Sequence, residues 1–182
     1  MSRLSIPTVA DAPAASKPLL DAVQKQLGTV PNLMKLLANS PAALEGYLSL
    51  SGALGKGALD AKLREALALA VGEFNGCDYC LAAHTYIGRN MAKLNDNEIE
   101  QARDGRSADA RVDAVLRFAR RVAEERGRVQ DTDISTLRAA GVNDAETVEI
   151  VLNVALNILT NYLNGVAQTD LDFPRVSAHT HA

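Results

Sequence analysis

The spacing of apolar residues, which is helical along almost the whole chain, constrains the fold more than any other sequence feature. In residues 108–125 such residues recur at intervals of three and four: Val112, Val115, Leu116, Ala119 and Val122. That spacing gathers them on one face of an α-helix, whereas a half-buried strand requires strict alternation. No window of the sequence shows convincing alternation. The chain therefore predicts an all-α protein, a helical bundle.

Glycine, proline and asparagine divide the chain into helices. Gly28 and Gly141 are typical C-terminal glycines, while Asn95 and Asn143 each precede a glutamate by three residues, as in a capping box. The expected helices are 16–27, 31–38, 42–54, 60–75, one from about 77, one from 95, 108–125, 133–140 and 145–166. Residues 1–15 are expected to form an N-terminal arm on the body or on a neighbouring subunit, and residues 170–182 a C-terminal tail.

Size and charge limit the classes of function. A chain of 182 residues with 47% hydrophobic content can bury a sizeable core, which favours a single helical domain over residues 1–182. The net charge of −3 gives no electrostatic reason to expect a nucleic-acid or membrane-surface partner. Two cysteines are too few to staple a chain of this size, and the N-terminus has no apolar signal-peptide run. A reducing, cytoplasmic setting is expected.

The last long helix carries a stripe of asparagines. On a helical wheel they share one sector, and aliphatic residues with Tyr162 fill nearly all the rest: Asn153, Asn157, Asn161 and Asn164. The uncharged run 150–169 reaches membrane-spanning length, but four amides argue against a bilayer helix. We expect this helix to be buried almost all round. The stripe then forms an internal polar seam, a subunit contact or a substrate lining.

Residues 64–84 hold most of the chemistry-bearing side chains. Cys77 and Cys80 have the CxxC spacing, which allows a disulfide within one helical turn, and His84 follows on the same helix face. A helix beginning near Cys77 would place both thiols at its positive dipole end, which lowers the pKa of a thiol there. Thiol redox chemistry is therefore the first hypothesis, with His84 within reach of Cys80 as its base.

Glu65 is brought towards His84 by a predicted helix hairpin. Asn75 and Gly76 give a strong turn signal, so the helices on either side should pack antiparallel. Glu65 lies roughly 15 Å before the turn and His84 roughly 12 Å after it, at similar height. A carboxylate there can orient the imidazole and stabilise its protonated form. The alternative is a surface Glu65 paired with Lys62.

Other interpretations of the CxxC pattern fit the sequence less well. A zinc site would need a fourth ligand, which the sequence does not show. Covalent haem attachment is excluded because Leu81, not histidine, follows the second cysteine. A thioredoxin fold needs strands. Two buried, unreactive cysteines remain a structural alternative, since a free thiol packs as a small hydrophobe.

The same residues resemble a known family. Glu65, eleven intervening residues and then Cys77-x-x-Cys80-x-x-x-His84 are similar to the signature of the alkyl hydroperoxidase D-like group, in the carboxymuconolactone decarboxylase superfamily. The flanks VPNLMKLLANSPAALEGYLSLSGAL and NYLNGVAQTDLDFP resemble its peroxidase-related members. The similarity spans about residues 30–175. It implies an all-helical fold assembled into homo-oligomers, trimers or hexamers.

The resemblance also implies roles for individual residues. Cys80 would be the thiolate that attacks a hydroperoxide, and Cys77 would condense with its sulfenic acid to form a disulfide. His84 would take the thiol proton and Glu65 would complete the relay. No metal or flavin cofactor is implied. The implied partners are a small organic hydroperoxide and an external dithiol, such as a lipoyl group on another protein.

One position departs from the family pattern. Tyr79 stands between the cysteines, where the best-known member has a second relay histidine. A phenol is a poor proton acceptor at neutral pH but can donate a hydrogen bond, so Tyr79 is a candidate relay or pocket residue. Thiol-dependent peroxidase is the leading functional hypothesis. A dithiol-disulfide reductase, a carboxymuconolactone decarboxylase-like enzyme and a non-enzymatic oligomeric binding module are the alternatives.

Overall fold

A computed structural model describes residues 2–179, which are all-helical without any strand, as the sequence predicted. Its α-helices are α1 (Lys17–Leu27), α2 (Asn32–Leu37), α3 (Pro41–Leu54), α4 (Ala61–Phe74), α5 (Asp78–Ile87), α6 (Asp96–Arg103), α7 (Ala110–Glu124), α8 (Asp131–Ala139) and α9 (Asp144–Ala167). A 3₁₀ turn (Ala14–Ser16) precedes α1, and a π-helical turn (Gly88–Ala92) follows α5.

Helix starts follow the expected capping chemistry. Asp60 caps α4 by accepting from the Leu63 amide, and the predicted capping boxes at Asn95 and Asn143 are both formed. Helix α8 begins two residues earlier than the sequence suggested. The cause is the carboxylate of Asp133, which accepts from the Gln130 amide at 2.8 Å and so occupies the third helical position rather than the cap.

Helix α4 is the buried centre of the fold. It packs against α5, α6, α7 and α9, and its residues 66–73 are all buried. Leu67, Leu69 and Val71 belong to a core cluster shared with α6, α7 and α9. A second cluster joins α1, α2 and the start of α5. The hairpin of α4 and α5 therefore lies where the two clusters meet.

The asparagine stripe of α9 lies inside the protein. All four asparagines are buried, while the opposite face leaves large apolar side chains exposed: Val148, Val151, Leu152, Leu159, Tyr162 and Val166. The expectation that this helix is buried almost all round is wrong for the single chain. The polarity of the helix is thus largely inverted relative to an ordinary amphipathic helix: its amides face the core beside Ile150 and Val154, while six large apolar side chains lie outside.

Helix α9 is also the one helix of residues 2–179 that is long and apolar enough to cross a membrane by length and composition. Half of its most apolar 18-residue stretch is buried inside the protein. The core helix of a soluble protein passes the same criteria. Length and composition are thus weak evidence for a membrane span here.

Both terminal segments pack on the helical body. The Arg3 amide donates to the carbonyl of Ala167 at the end of α9, at 2.6 Å. The Asn39 side chain donates to the carbonyl of Ser5 at 2.8 Å. The arm thus lies on its own chain, which is one of the two placements expected from the sequence. The C-terminal tail runs back along α5 and α6 as far as His179, and the end of the predicted tail, including His181, lies outside the described residues.

A buried ion pair fixes α6 against α4. Arg103 Nε donates to Glu73 Oε2 at 2.8 Å, and both side chains are almost fully buried. Arg103 also donates to the carbonyl of Ser177, which ties the C-terminal tail to the same pair. Removing one member of a buried pair leaves the other charge without compensation, which is costly.

We predict that Arg103→Met lowers the free energy of unfolding by about 3 kcal/mol, because Glu73 is left buried without its cation. Urea denaturation measures the loss. Arg117→Met is the matched control, since Arg117 forms an i,i+4 pair with Asp113 at the surface and should cost less than about 1 kcal/mol. Equal losses in the two variants would contradict a structural role for the buried pair.

Candidate redox site

The turn between α4 and α5 positions both cysteines. Asn75 caps the end of α4, and Gly76 adopts a left-handed backbone conformation with φ +63°, which glycine tolerates best. Cys77 is the N-cap of α5, so its sulfur accepts the Cys80 amide at 3.3 Å. Cys80 is therefore the third residue of the helix, within the first turn where the helix dipole favours a negative charge.

The two cysteines form a disulfide, with Cα atoms 5.3 Å apart. Both are buried in the single chain, Cys77 with 8% and Cys80 with 3% of its surface exposed. They lie in the second core cluster, against apolar residues of α1–α3. The CxxC sequence is thus placed in the geometry that a reversible dithiol–disulfide couple needs.

Glu65 and His84 meet across the hairpin. Glu65 Oε2 lies 2.8 Å from His84 Nδ1, and the side chains are 18% and 24% exposed. Because Nδ1 faces the carboxylate, Nε2 is the ring nitrogen left for another partner. The imidazole lies one turn after Cys80 on α5. Lys62, the alternative partner of Glu65, contacts Glu98 instead, at 3.5 Å.

Tyr79 is occupied by structural hydrogen bonds. Its hydroxyl accepts from the Leu33 amide at 3.0 Å and donates to Asp172 Oδ1 at 2.8 Å. Burial strongly raises the pKa of this phenol, and the negative charge of Asp172 adds to the effect. The ring also packs edge-on against Phe173. Tyr79 therefore links α2, α5 and the C-terminal tail.

The other residue between the cysteines holds the same tail. Asp78 Oδ1 accepts from the Ala178 amide at 2.9 Å. Beyond it, the His179 amide donates to Glu73 Oε1 at 2.5 Å, and the His179 ring lies among carboxylates. The tail is thus anchored at both positions between the two cysteines.

Two asparagines of α9 reach the hairpin, and the sequence did not assign them to the site. Asn161 Oδ1 accepts from Asn75 Nδ2 at 2.8 Å, and Asn164 Nδ2 lies 3.4 Å from Cys80 Sγ. Asn153 and Asn157 instead donate to the backbone carbonyls four residues earlier. The stripe therefore divides, and only its C-terminal half contacts the redox hairpin. Substrate lining was one of its expected roles, but nothing in the sequence pairs Asn164 with Cys80.

Tyr47 of α3 is a further neighbour that the sequence did not reveal. It packs against the cluster that contains both cysteines. Burial raises the pKa of Tyr47 to about 12, with a further contribution from the charge of Glu65, while a hydrogen bond with Ser51 acts in the opposite direction. The phenol is thus neutral at physiological pH and can serve only as a hydrogen-bonding group.

A cleft of about 400 Å³ lies on the other face of α5. Ala82, Thr85 and Tyr86 line it, together with α6 and the C-terminal tail. At 100° per residue these positions face away from Cys80 and His84. Among residues 2–179 no group of three or more histidine, cysteine or carboxylate side chains is arranged to hold a metal ion.

Comparison with known proteins identifies the class. Residues 41–125 match the model of the Carboxymuconolactone decarboxylase family, while no curated protein gives a significant match. An alkylhydroperoxidase AhpD core, a peroxidase-related protein from Ralstonia eutropha, superposes with a TM-score of 0.83 at 26% identity, over 94% of this chain and 92% of its own. These similarities support a place for the chain in the alkyl hydroperoxidase D-like and carboxymuconolactone decarboxylase superfamily.

Two further structures share the fold. A peroxidase-related protein from Silicibacter sp. gives a TM-score of 0.82 at 26% identity, covering 93% of this chain and 91% of its own. The debrominase Bmp8, in a cysteine-to-alanine variant bound to 2,3,4-tribromopyrrole, gives 0.79 at 18% identity and covers 94% of each chain. At that identity the likeness to Bmp8 shows the fold alone.

We predict that Tyr79→Phe destabilises the protein by about 1–2 kcal/mol, because the Leu33 amide loses its acceptor and Asp172 Oδ1 loses the phenol as its donor. Thermal or urea unfolding measures the change, and limited proteolysis should cut the C-terminal tail faster. Tyr86→Phe is the control, since Tyr86 also packs against Phe173 but is 45% exposed. Wild-type stability of Tyr79→Phe would contradict the anchoring role.

Proposed function

We propose that the protein is a thiol-dependent peroxidase that reduces organic hydroperoxides. The observation that carries this proposal is the disulfide of Cys77 and Cys80 one helical turn from an imidazole that a carboxylate orients. Membership of the superfamily and the likeness to two peroxidase-related proteins support it. Glu65, His84, Cys77 and Cys80 are the proposed catalytic residues.

The proposed cycle begins with the reduced cysteines. His84 Nε2 takes the proton of Cys80, and the thiolate attacks a peroxide oxygen; a sulfur–oxygen bond forms and the oxygen–oxygen bond breaks. The alkoxide leaves as an alcohol with the proton that His84 returns. Cys77 then attacks the sulfenic acid at Cys80, which forms the disulfide and releases water. Glu65 keeps the imidazole in position and stabilises its charged form.

An external dithiol completes the proposed cycle. The first thiolate of the dithiol attacks the disulfide and forms a mixed disulfide with one cysteine. The second thiol of the same molecule then attacks this mixed disulfide, which releases the protein with both cysteines reduced. A lipoyl group on a partner protein fits this requirement because it carries two thiols in one molecule. The sum is hydroperoxide plus dithiol giving alcohol, water and the oxidised carrier. The cycle needs no metal or flavin.

A dithiol–disulfide reductase is the second candidate. Both sulfurs are buried in the single chain. A reductase is favoured over a peroxidase only if this burial keeps peroxides from Cys80. The fold also serves a debrominase in Bmp8, so the superfamily fold is not restricted to peroxides. A comparison of peroxide and disulfide substrates with one reductant separates these chemistries.

We predict that Cys80→Ser abolishes peroxide consumption with dihydrolipoamide, because the attacking sulfur is absent. Cys77→Ser should still attack peroxide once and stop as a sulfenic acid at Cys80, which dimedone traps and mass spectrometry locates. Peroxide loss is followed against free dihydrolipoamide alone.

His84→Ala separates the proposed base from the sulfur chemistry. General-base assistance contributes roughly 10²–10⁴-fold, so a loss of that order in the rate of sulfenic acid formation is expected at neutral pH.

Full activity of Cys80→Ser would overturn the peroxidase proposal. Reduction of a model disulfide at a higher rate than peroxide by the wild-type protein would favour the reductase instead.

We further propose that a second copy of the chain covers the exposed apolar face of α9. The face carries six large apolar residues on one helix, and contiguous apolar surface of this kind marks interaction sites in soluble proteins. The inward asparagines fix which side is outside, so the apolar side stays exposed among residues 2–179. Pairing between copies would bury it.

We predict that Tyr162→Glu lowers the oligomeric state measured by sedimentation velocity, because a carboxylate would be buried at the centre of this face. Gln26→Glu adds the same charge on the exposed side of α1 and should leave the mass unchanged. An unchanged oligomer in Tyr162→Glu, or a monomeric wild type, would contradict the proposed contact.

A further inference from the structure

The side-chain amide of Asn164 is held against the sulfur of Cys80. Its Nδ2 lies 3.4 Å from Cys80 Sγ, and the residue is 4% exposed. Among the described residues this is the hydrogen bond that the Asn164 side chain makes, and its Oδ1 has no partner there. A buried amide group without a hydrogen-bond partner lowers the stability of the fold. Stability alone therefore does not account for an asparagine at position 164.

The neighbouring turn of α9 shows what a structural asparagine looks like in this helix. Asn157 is 6% exposed and donates to the carbonyl of Asn153 at 2.8 Å, so its amide is satisfied by its own helix. Asn164 has the corresponding carbonyl of Thr160 one turn back, yet its amide is directed to Cys80. Its orientation therefore depends on the sulfur.

The packing of α9 and the charge of a thiolate both favour the observed orientation of the Asn164 amide. Asn161, one turn earlier, accepts from Asn75 Nδ2 at 2.8 Å, which fixes α9 against the α4–α5 turn. Disulfide sulfur is a weak acceptor, whereas a thiolate is a charged one and forms a shorter and stronger bond with the same donor. The opposite orientation would place the amide oxygen against negative charge.

The charges around Cys80 make a neutral donor useful. Asp78 lies in the same first turn of α5 and opposes a thiolate, as does the charge of Glu65 beyond His84. The phenols of Tyr79 and Tyr47 stay neutral because burial raises their pKa values. The helix dipole, protonated His84 and the Asn164 amide are then the groups that favour the anion.

We propose that Asn164 is a catalytic residue that donates its side-chain N–H to the Cys80 thiolate and so holds the attacking sulfur ionised and oriented. The role rests on the proposed function for its place in a peroxidase cycle, but the hydrogen bond itself concerns only the reduced cysteine. In the cycle this hydrogen bond lowers the proton affinity of Cys80 before the attack on peroxide. After the attack it holds the same sulfur in place until Cys77 reacts with the sulfenic acid.

The test measures Cys80 alone, in a Cys77→Ser background without peroxide. The ultraviolet absorbance of the thiolate is titrated against pH, and the rate of alkylation by iodoacetamide is followed in parallel. Asn164→Leu, of similar volume but without a donor, should raise the Cys80 pKa by roughly one unit, and alkylation at neutral pH should slow roughly tenfold. Asn157→Leu is the matched control and should change neither measurement.

Folding is checked by circular dichroism, and Asn164→Ala replaces the leucine variant if that chain does not fold. Equal Cys80 pKa values in the parent, Asn164→Leu and Asn164→Ala would overturn the proposal even where peroxide consumption persists. An equal shift in Asn157→Leu would overturn it as well, since the effect would then belong to the polar stripe in general. A shift specific to Asn164 in a protein that consumes no peroxide supports the hydrogen bond and counts against the peroxidase function only.

Discussion

The antiparallel packing of α4 on α5 is the contact on which the rest of the site depends. A left-handed Gly76 and the Asn75 cap reverse the chain within a few residues, so that Glu65 and His84 meet at 2.8 Å while Cys77 caps the second helix. Because α4 is buried on nearly every side, its position is fixed by the core cluster that it shares with α6, α7 and α9. Packing in the core thereby holds the carboxylate of Glu65 in place beside the imidazole of His84.

Helix α9 supplies the third wall of this site, and its inverted polarity explains how. Amides that face inwards can bond to the hairpin, which Asn161 and Asn164 do, while the aliphatic side is left for another surface. An ordinary amphipathic helix would place leucines against Cys80 and provide no donor. One arrangement thus gives the sulfur a polar contact and leaves an apolar face exposed in the single chain.

The sequence predicted much of this because the decisive signals are local. Helix periodicity, capping residues and the Asn75-Gly76 turn each act within a few residues, and the all-helical fold and most helix bounds followed from them. The orientation of α9 could not be predicted in the same way. Its helical wheel shows a polar sector and an apolar sector. Which of the two faces the core depends on contacts with the α4–α5 hairpin, such as that of Asn164 with Cys80, whose partners lie more than eighty residues apart in the sequence. Tyr79 and Asp172 are paired over a similar separation.

The position between the cysteines illustrates how such a long-range contact changes a functional interpretation. A histidine there could carry a proton, but Tyr79 is already bonded to Leu33 and Asp172, and its raised pKa removes it from acid–base chemistry at neutral pH. The proton relay of the proposed mechanism therefore uses His84 and Glu65, and not Tyr79. In the proposed mechanism one imidazole of the described residues, His84, serves Cys80, so ionisation of this thiol depends more on neutral donors, and the fold holds the amide of Asn164 at the sulfur. In the proposed mechanism, the amide of Asn164 thus offsets the lack of a basic residue between the two cysteines.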